Sequence, residues 1–131
     1  MEKLVVKKAC GSTYFKLVDD QTNRCLSSLE VAFQTFSLDR KRKLEFPDCD
    51  IFYLSDFTTR CGERKKGYGR QLLNLVKENT KGKFIYLIVH SSDITYIKDS
   101  QLVEFYKSIG FEVHEKKDMY QYYTWMVLDN R

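Results

Sequence analysis

The sequence predicts an α+β fold, a twisted mixed β-sheet with two main helices that both lie in the second half of the chain. Short β-rich apolar runs separated by turn formers occupy the first part. Residues 50–89 then show an apolar strand, a basic loop with glycines, an amphipathic helix and a second apolar strand. Residues 111–128 are rich in aromatic side chains and predict a closing hairpin. With 131 residues, 43% of them hydrophobic, we expect one domain spanning residues 1–131.

The N-terminal segment predicts the start of an antiparallel meander. Residues 3–9 contain a β-rich apolar run and end before a glycine, which predicts a first strand. Residues 14–18 predict a second strand, and a cluster of turn-forming side chains follows at 19–23. We therefore expect two adjacent antiparallel strands joined by a tight connection.

Residues 24–38 fit two kinds of secondary structure. Apolar residues alternate as in a strand, for example at Leu29 and Val31. The same segment also fits a helical stripe that begins after a capping box formed by Ser27 and Glu30. We prefer the strand and keep the helix as the alternative.

The central segment predicts a parallel crossover. Residues 39–48 are charged and contain a proline, so we expect a solvated loop there. Residues 51–58 and 84–89 predict covered strands on either side of an amphipathic helix. Strands connected in this way lie parallel, with a right-handed crossover.

The C-terminal segment predicts a second helix followed by a hairpin. Asp99 or Ser100 can cap the helix, and Gly110 ends it. Residues 111–115 and 120–128 are predicted to form the two strands of the hairpin.

Composition excludes several classes of protein. The four cysteines form no C-x-x-C pair and only two histidines accompany them, which disfavours zinc and predicts reduced, buried thiols. No apolar run reaches the length of a membrane span, and the first residues do not resemble a signal peptide, so a cytoplasmic protein is expected. The net charge of +4 suits an anionic ligand but is too small for the dense basic face of a nucleic-acid binder.

The loop and helix start at residues 64–70 carry the strongest chemical signal. A helix N-terminus offers unpaired N–H groups and a partial positive charge, and Gly67 and Gly69 let a ligand approach the main chain. Four basic residues surround this point, namely Arg64, Lys65, Lys66 and Arg70. The stretch therefore predicts a site for a phosphate-bearing ligand.

Two common phosphate loops do not fit the spacing. Gly62 and Gly67 have the separation found in a P-loop, but Tyr68 and Gly69 stand where lysine and serine or threonine are required. Leu72 occupies the third glycine of a dinucleotide-binding loop. Nucleotide triphosphates and NAD or FAD are therefore disfavoured.

A third pattern, Q/R-x-x-G-x-G/A, matches Arg64-Lys65-Lys66-Gly67-Tyr68-Gly69 at every specified position. This segment resembles the acetyl-CoA-binding motif of the GNAT N-acetyltransferases. A second element, Phe105-Tyr106-Lys107-Ser108-Ile109-Gly110-Phe111, is similar to the F-Y-x-x-x-G-F block of the same family. The resemblance covers about residues 50–128 and implies a GNAT-like sheet. The family's two helices between the first strands have almost no room here, so the N-terminal helical part is reduced.

The resemblance implies that acetyl-CoA is the co-substrate and that no metal is needed. Main-chain amides from Lys65 to Arg70 would hold the pyrophosphate, and the strand before the loop would separate from its parallel neighbour and expose its main chain to pantetheine. One of these strand amides would polarise the thioester carbonyl. The implied cofactor-binding residues are Phe57, Thr58, Thr59, Arg64, Lys65, Lys66, Gly67, Tyr68, Gly69 and Arg70.

Tyr106 matches the position of the family's general acid, which protonates the departing CoA thiolate. A phenol with a pKa of about 10 is protonated at neutral pH and can donate to a thiolate. The alternative is a core aromatic on the apolar stripe of the helix.

The general base is open. Histone-type members of the family use a glutamate, and Tyr53 stands at that position here. Asp56, His90 and Asp93 are substitutes by location, and a water chain is an equal alternative. His90 can also be a strand-end residue and Asp56 a carboxylate that ties the loop down.

The resemblance implies an N-acetyltransferase that transfers an acetyl group from acetyl-CoA to a primary amine of a protein, peptide or small molecule by direct attack. If residues 27–38 are strand, the acceptor groove is open and admits a protein chain; if they are helix, a closed pocket is expected. The alternative function is a catalytically silent module that binds CoA and a protein or RNA partner through Arg40, Lys41, Arg42 and Lys43. The sequence does not predict the acceptor, the acyl chain length or the oligomeric state.

Overall fold

The computed structural model describes residues 2–59, 67–90 and 98–131. In this part of the chain, seven strands form one mixed sheet with the order β1-β2-β3-β4-β5-β7-β6, accompanied by three helices. The elements are β1 (Glu2–Ala9), β2 (Ser12–Asp19), β3 (Cys25–Gln34), α1 (Leu38–Lys43), β4 (Ile51–Thr59), α2 (Tyr68–Asn79), β5 (Phe84–Val89), α3 (Asp99–Ile109), β6 (Glu112–His114) and β7 (Thr124–Asp129). The predicted α+β class is confirmed.

Strand pairing confirms the predicted antiparallel start, the parallel crossover and the closing hairpin. β1 to β4 form an antiparallel meander, and β4 pairs with β5 in parallel through the crossover that contains α2. β7 enters antiparallel between β5 and β6. The strand prediction for the ambiguous segment is confirmed, because β3 occupies most of it.

The two faces of the sheet have different cores. The helical face packs under α2 and α3 and is mainly aliphatic, with Leu29, Leu54 and Leu72 among its buried side chains. The opposite, aromatic face is covered by α1 and the residues that follow it, and it buries Tyr86 and Trp125. Because side chains alternate along a strand, neighbouring residues of β4 and β5 serve different cores.

The prediction of a loop over residues 39–48 is wrong in its first half, because α1 begins there. Ser37 is the N-cap, and its hydroxyl accepts a hydrogen bond from the Arg40 main-chain N–H at 3.1 Å. Asp39 lies in the first turn and the basic residues lie in the last turn, which suits the helix dipole. The charged run was interpreted as solvated loop, yet lysine and arginine are good helix formers.

Other boundaries also differ from the predictions. Lys98 is the N-cap of α3, so Asp99 is already helical. β7 begins at Thr124, later than the predicted start of the second hairpin strand. Cys10 and Cys25 are free thiols as expected but are exposed, because they lie at the ends of strands rather than in the core. In the described ranges, no helix combines the length and apolar character needed to cross a membrane.

Candidate active site

The main feature of the site is an opening between β4 and β5. The two strands pair over three residues each, and the last pair is Tyr53 with Tyr86. Beyond it β4 continues along β3 to Thr59, while β5 continues along β7 to Val89. The strands therefore separate towards their C-terminal ends, as the family resemblance implied, and among the described residues the main chain of each strand beyond the last pair is not paired with the other.

A β-bulge in β4 lies beside this opening. Glu30 of β3 pairs with Ser55 and Ser28 pairs with Thr58, so β4 has one residue more than β3 in this interval. Asp56 has a φ of 55°, a left-handed conformation that is uncommon for residues other than glycine. A bulge bends its strand and re-aims the side chains around it. We attribute the turn of β4 away from β5 to this bulge.

The N-terminus of α2 begins at a glycine. Gly67 is its N-cap with a φ of 81°, and as a glycine it has no side chain with which to cap the helix. The first turn contains no acidic residue. Its main-chain N–H groups, which lack partners within the helix, and the positive end of the dipole therefore suit an anion.

Gly69 brings the first turn of α2 onto the end of β4. A Cβ atom at this position would lie 2.9 Å from Cζ of Phe57 and 3.1 Å from Oγ1 of Thr59. The second glycine of the motif is therefore required by packing, whereas Gly67 is required by its backbone conformation.

The last residues of β4 are fixed from the β3 side. The Ser27 hydroxyl donates to the Thr58 carbonyl at 2.8 Å and lies 3.2 Å from Oγ1 of Thr59. Ser28 and Thr58 hydroxyls lie 3.3 Å apart. These contacts hold the side of β4 that faces away from the opening.

Arg70 lies on the outer side of α2, where it contacts α3. Its Nη1 donates to Oγ of Ser108 at 2.8 Å, and its Cζ lies 5.3 Å from the ring centroid of Phe105. The guanidinium thus joins the two helices that carry the two sequence motifs.

Tyr106 lies on the buried side of α3. Its ring contacts those of Phe57, Phe105 and Phe111, with centroid distances of 6.1, 5.7 and 5.7 Å. Burial raises the pKa of Tyr106 well above its usual value, and the nearby Tyr53 phenol raises it further. The phenol is therefore protonated throughout the physiological pH range, and both sequence interpretations of Tyr106 fit its position.

Tyr53 is a site residue to which sequence reasoning gave no role. It is half-buried on the aromatic face, with its ring stacked on that of Tyr86 at 4.8 Å. Burial raises the pKa of Tyr53, and Tyr120 and Asp56 raise it further. The Tyr53 phenol also raises the pKa of Tyr106, so the two side chains lie within electrostatic range of each other. The available signal was its place on the strand before the motif, where the family has a glutamate.

The candidate bases occupy different positions. Asp56 is exposed at the bulge, within electrostatic range of Tyr53. His90 is exposed just after β5, with its ring 4.7 Å from that of Tyr123. Of these two candidates, Asp56 is the one that raises the pKa of Tyr53. Four predicted residues lie outside the described residues, namely Arg64, Lys65, Lys66 and Asp93.

The connection between β6 and β7 places aromatic side chains on the surface. Met119, Tyr120 and Tyr122 are exposed, and Tyr120 lies within electrostatic range of Tyr53. The connection is joined to α1 by Asp118, whose carboxylate accepts two hydrogen bonds from Arg40 at 2.6 and 3.2 Å. A tyrosine-rich segment that is anchored to α1 thus lies within electrostatic range of Tyr53, at the closed end of the opening.

The predicted basic contact patch is partly engaged within the chain. Besides Arg40, Lys41 forms an ion pair with Asp48 at 3.8 Å. Arg42 and Lys43 remain exposed. Within the described ranges, no group of three or more His, Cys, Asp or Glu side chains is arranged to hold a metal ion.

This is the fold of the GNAT N-acetyltransferases, as the two motifs predicted, since solved structures of that group superpose on most of the chain. The Bacillus subtilis N-acetyltransferase YlbP, solved with coenzyme A, has a TM-score of 0.59 and 15% identity over 88% of this chain and 66% of its own. A GNAT-family protein from Desulfovibrio desulfuricans has a TM-score of 0.63 and 15% identity over 93% and 70%. Arabidopsis thaliana NAA60, solved with a bisubstrate analogue, has a TM-score of 0.62 and 14% identity over 94% and 79%. The chain therefore spans about two thirds of the length of the first of these structures. The sequence matches no protein-family model and no curated protein.

Proposed function

We propose that this protein is an acetyl-CoA-dependent N-acetyltransferase that uses no metal ion and forms no covalent enzyme intermediate. The observation that carries the proposal is the opening between β4 and β5, with the glycine-capped N-terminus of α2 and Tyr106 beside it. The GNAT fold, shared with a neighbour solved with coenzyme A, supports it. Three described cysteines are free, which supports a reducing compartment such as the cytoplasm.

The start of α2 fits the pyrophosphate of CoA. Main-chain amides from Gly67 to Arg70 would donate to it, and a hydrogen bond to a charged group contributes about 1.5–3 kcal/mol. Among the described residues, a Cβ atom at Gly67 would have no neighbour within 4 Å. The absence of a carboxylate in the first turn avoids repulsion.

The end of β4 fits the pantetheine arm. Its main chain from Phe57 to Thr59 is held on one side by β3 and is unpaired towards β5 among the described residues. The amides of the arm can therefore pair with it as an added strand would. Acetyl-CoA supplies an acetyl group activated as a thioester, and a β4 N–H aimed at its carbonyl oxygen would stabilise the charge that develops there.

Tyr106 is assigned as the donor to the departing sulfur. Its raised pKa keeps the proton on Oη. Complete transfer of this proton to a thiolate of lower pKa costs about 1.4 kcal/mol for each pKa unit that separates the phenol from the thiol. The departing thiolate is therefore stabilised mainly by a strong hydrogen bond from Oη. Burial of the thiolate raises the pKa of the sulfur as well and reduces this difference.

The proton of the acceptor ammonium is assigned to a route past Tyr53 to Asp56. An amine with a pKa of about 10.4 must lose this proton before it attacks. Water beside Tyr53 would carry this proton, and the second proton that the nitrogen loses after attack, to the exposed Asp56 carboxylate and on to solvent. His90 is the second candidate for the same task.

The acceptor is proposed to be an amine of a polypeptide. β3 is a strand and does not wall the groove as a helix would, which supports an open acceptor side. Exposed Tyr120 and Tyr122 offer aromatic surface to an extended chain.

The test is release of free thiol from acetyl-CoA in the presence of peptides with free N-termini, peptides with internal lysines, polyamines and aminoglycosides. We expect turnover with at least one peptide class. Silence across all four classes would contradict the enzymatic proposal, and turnover with small amines alone would contradict the polypeptide acceptor.

The cofactor site has a separate test. Gly67→Glu places a carboxylate before the helix N-terminus, whereas Gly67→Asn keeps a residue that tolerates a positive φ. We expect acetyl-CoA to raise the Tm of the wild type and of the asparagine variant but not of the glutamate variant. Equal shifts in all three would show that the cofactor binds elsewhere.

A catalytically silent CoA-binding module is the second candidate, favoured by Tyr53 at the position of the family's glutamate. It predicts binding of acetyl-CoA without turnover and with no effect of Tyr106→Phe. Its proposed partner surface is reduced to Arg42 and Lys43, because Arg40 and Lys41 are engaged in ion pairs.

A further inference from the structure

The far edge of the sheet carries a second surface. β1 is the outermost strand and pairs on one side only, with β2, within the described part of the chain. It has eight residues, and two adjacent apolar side chains at its centre, Val5 and Val6, are 38% and 42% exposed. A long edge strand with an apolar centre is a template for another strand.

A cavity lies beside this edge on the helical face. Val6 pairs with Phe15, a residue of the helical core, which places Val6 on that face, whereas Val5 pairs with exposed Lys16 on the other. The cavity has a volume of about 220 Å³, and buried Phe15 and Val31 line it together with Val6. This volume accommodates one large side chain, which would meet the apolar side chains of Val6, Phe15 and Val31 and the polar side chains that complete the lining.

The rim of the cavity is basic. Lys8 and Lys83 line it together with Asn79 and Thr80 at the end of α2. The two polar side chains are used internally, since Asn79 donates to the Leu75 carbonyl at 2.7 Å and Thr80 to the Val76 carbonyl at 2.8 Å. Thr13 also lines the cavity, and the Lys83 ammonium lies 4.7 Å from the ring centroid of Phe52, so the positive charges offered to a ligand are those of Lys8 and Lys83.

We propose that β1 is a docking edge for an extended segment of another protein, which pairs with the β1 main chain, inserts one large apolar side chain beside Val6 and presents carboxylates to Lys8 and Lys83. Main-chain pairing with a pocket for one side chain is a common mode of peptide recognition. The surface is three strands from β4, about 14 Å at the usual strand spacing, and is separate from the proposed acetyl-transfer site.

Charge selects this occupant over a second copy of the chain. β1 contains three lysines, Lys3, Lys7 and Lys8, and one acidic residue. Two copies paired through β1 would bring like charges together, which is the usual protection of an edge strand. A segment rich in glutamate and aspartate would instead place carboxylates beside these lysines, so that the two strands attract each other.

The test uses the whole protein and an end-blocked, fluorescent peptide Glu-Val-Glu-Phe-Val-Glu-Val-Glu in a binding titration. Three control peptides replace every glutamate by lysine, replace phenylalanine by serine, or carry N-methyl groups on alternate amides. We expect the acidic peptide to bind and each control peptide to bind at least about tenfold more weakly, since loss of about 1.4 kcal/mol changes an affinity tenfold.

Matched variants of the protein locate the surface. Val6→Asp and Lys8→Glu should each weaken binding about tenfold, whereas Val5→Asp and Lys16→Glu, on the opposite face, should change it by less than about twofold. Circular dichroism verifies that each variant is folded. Equal binding of the N-methylated or lysine peptide, no binding of the acidic peptide at millimolar concentration, or dimerisation of the protein alone that Val6→Asp abolishes would each overturn the proposal.

Discussion

Tyr53 and Tyr86 form the last pair between β4 and β5, and their rings stack with centroids 4.8 Å apart. The stack extends from Tyr86 to Trp125 at 5.5 Å on the opposite neighbour, β7. Three strands are therefore joined by aromatic rings at the point where β4 and β5 begin to separate. This stack fixes the closed end of the opening in which the proposed reaction takes place.

Removal of the Tyr86 ring should destabilise the protein strongly. Tyr86 is 2% exposed and also contacts Phe36 and Phe46. Tyr86→Ala should lower the free energy of unfolding by about 3–5 kcal/mol, the usual cost of deleting a buried aromatic ring. Tyr86→Phe keeps the ring and should cost less than about 1.5 kcal/mol. Urea denaturation measures both, and equal losses in the two variants would show that the hydroxyl, and not the stack, is the stabilising group.

Much of the fold was predictable because its signals are local. Apolar alternation and turn formers predict β1 and β2, and the glycine-punctuated strand-loop-helix-strand order predicts the parallel pairing of β4 with β5. The error at α1 has a physical cause. A charged run with a nearby proline resembles a loop, and the helix forms because Ser37 caps it and its flanking aromatic residues, Phe36 and Phe46, pack on the far face of the sheet.

The site was predictable in part for the same reason. Gly67 and Gly69 lie in a local motif, whereas Tyr53 gains its surroundings from contacts with residues distant in sequence, Tyr86 and Tyr120. The pattern of apolar residues within one strand does not predict which side chain of another strand or connection it will contact. The bulge at Asp56 could not be predicted from the sequence either, because the residue with the positive φ is not a glycine.

The variant Tyr106→Phe distinguishes a catalytic role of the Tyr106 hydroxyl from a purely structural role of its ring. Loss of a preorganised hydrogen bond to the negative charge that develops on the departing sulfur reduces turnover by about 10²–10³-fold, whereas the ring keeps its contacts with Phe57, Phe105 and Phe111. We expect kcat for acetyl transfer to fall in this range while KM for acetyl-CoA and the Tm stay near the wild-type values. Phe105→Leu, which alters the neighbouring ring, is the control for packing. A Tyr106→Phe enzyme with unchanged kcat would leave Tyr106 as a core residue only.

Gly69→Ala should displace α2 from β4. The added Cβ would lie 2.9 Å from Cζ of Phe57, a distance that requires movement. Overpacking of this kind costs about 1–3 kcal/mol in the free energy of unfolding, and the shifted helix N-terminus should weaken acetyl-CoA binding. The double variant Gly69→Ala with Phe57→Leu removes the clashing carbon and should recover part of both losses relative to Gly69→Ala. Chemical denaturation and calorimetric titration with acetyl-CoA measure the two effects, and a single variant with wild-type affinity would contradict the proposed role of this contact.

Stability should decline in alkaline solution because of buried phenols. Burial raises the pKa of Tyr86 to about 12 and raises the pKa values of Tyr53 and Tyr106. An unfolded tyrosine ionises at a pKa of about 10, so above that pH the unfolded chain loses protons that the folded chain retains. The contribution of these phenols is therefore complete below about pH 10 and is lost as the pH rises towards the folded pKa values. Urea denaturation from pH 8 to about pH 11 should show this decline, and Tyr86→Phe should reduce its slope; an unchanged slope would exclude Tyr86 as a contributor.

The ion pair between Arg40 and Asp118 should couple α1 to the tyrosine-rich connection. The guanidinium donates two hydrogen bonds, and the side chains are only 31% and 30% exposed. Arg40 lowers the pKa of the Asp118 carboxyl, so its stabilising effect is present above the unfolded pKa of about 3.9 and is lost as the pH falls through the lower folded value. A double-mutant cycle with Arg40→Gln and Asp118→Asn should give a coupling energy of about 1 kcal/mol at neutral pH that disappears in acid. The matched control is the pair of Lys41 with Asp48, whose distance is 3.8 Å and whose carboxylate side chain is 82% exposed, and there the coupling should be close to zero. Two outcomes would contradict this prediction: equal coupling energies in both pairs, or a coupling energy between Arg40 and Asp118 that persists in acid. Either would show that the two charged hydrogen bonds do not stabilise the contact between α1 and the connection.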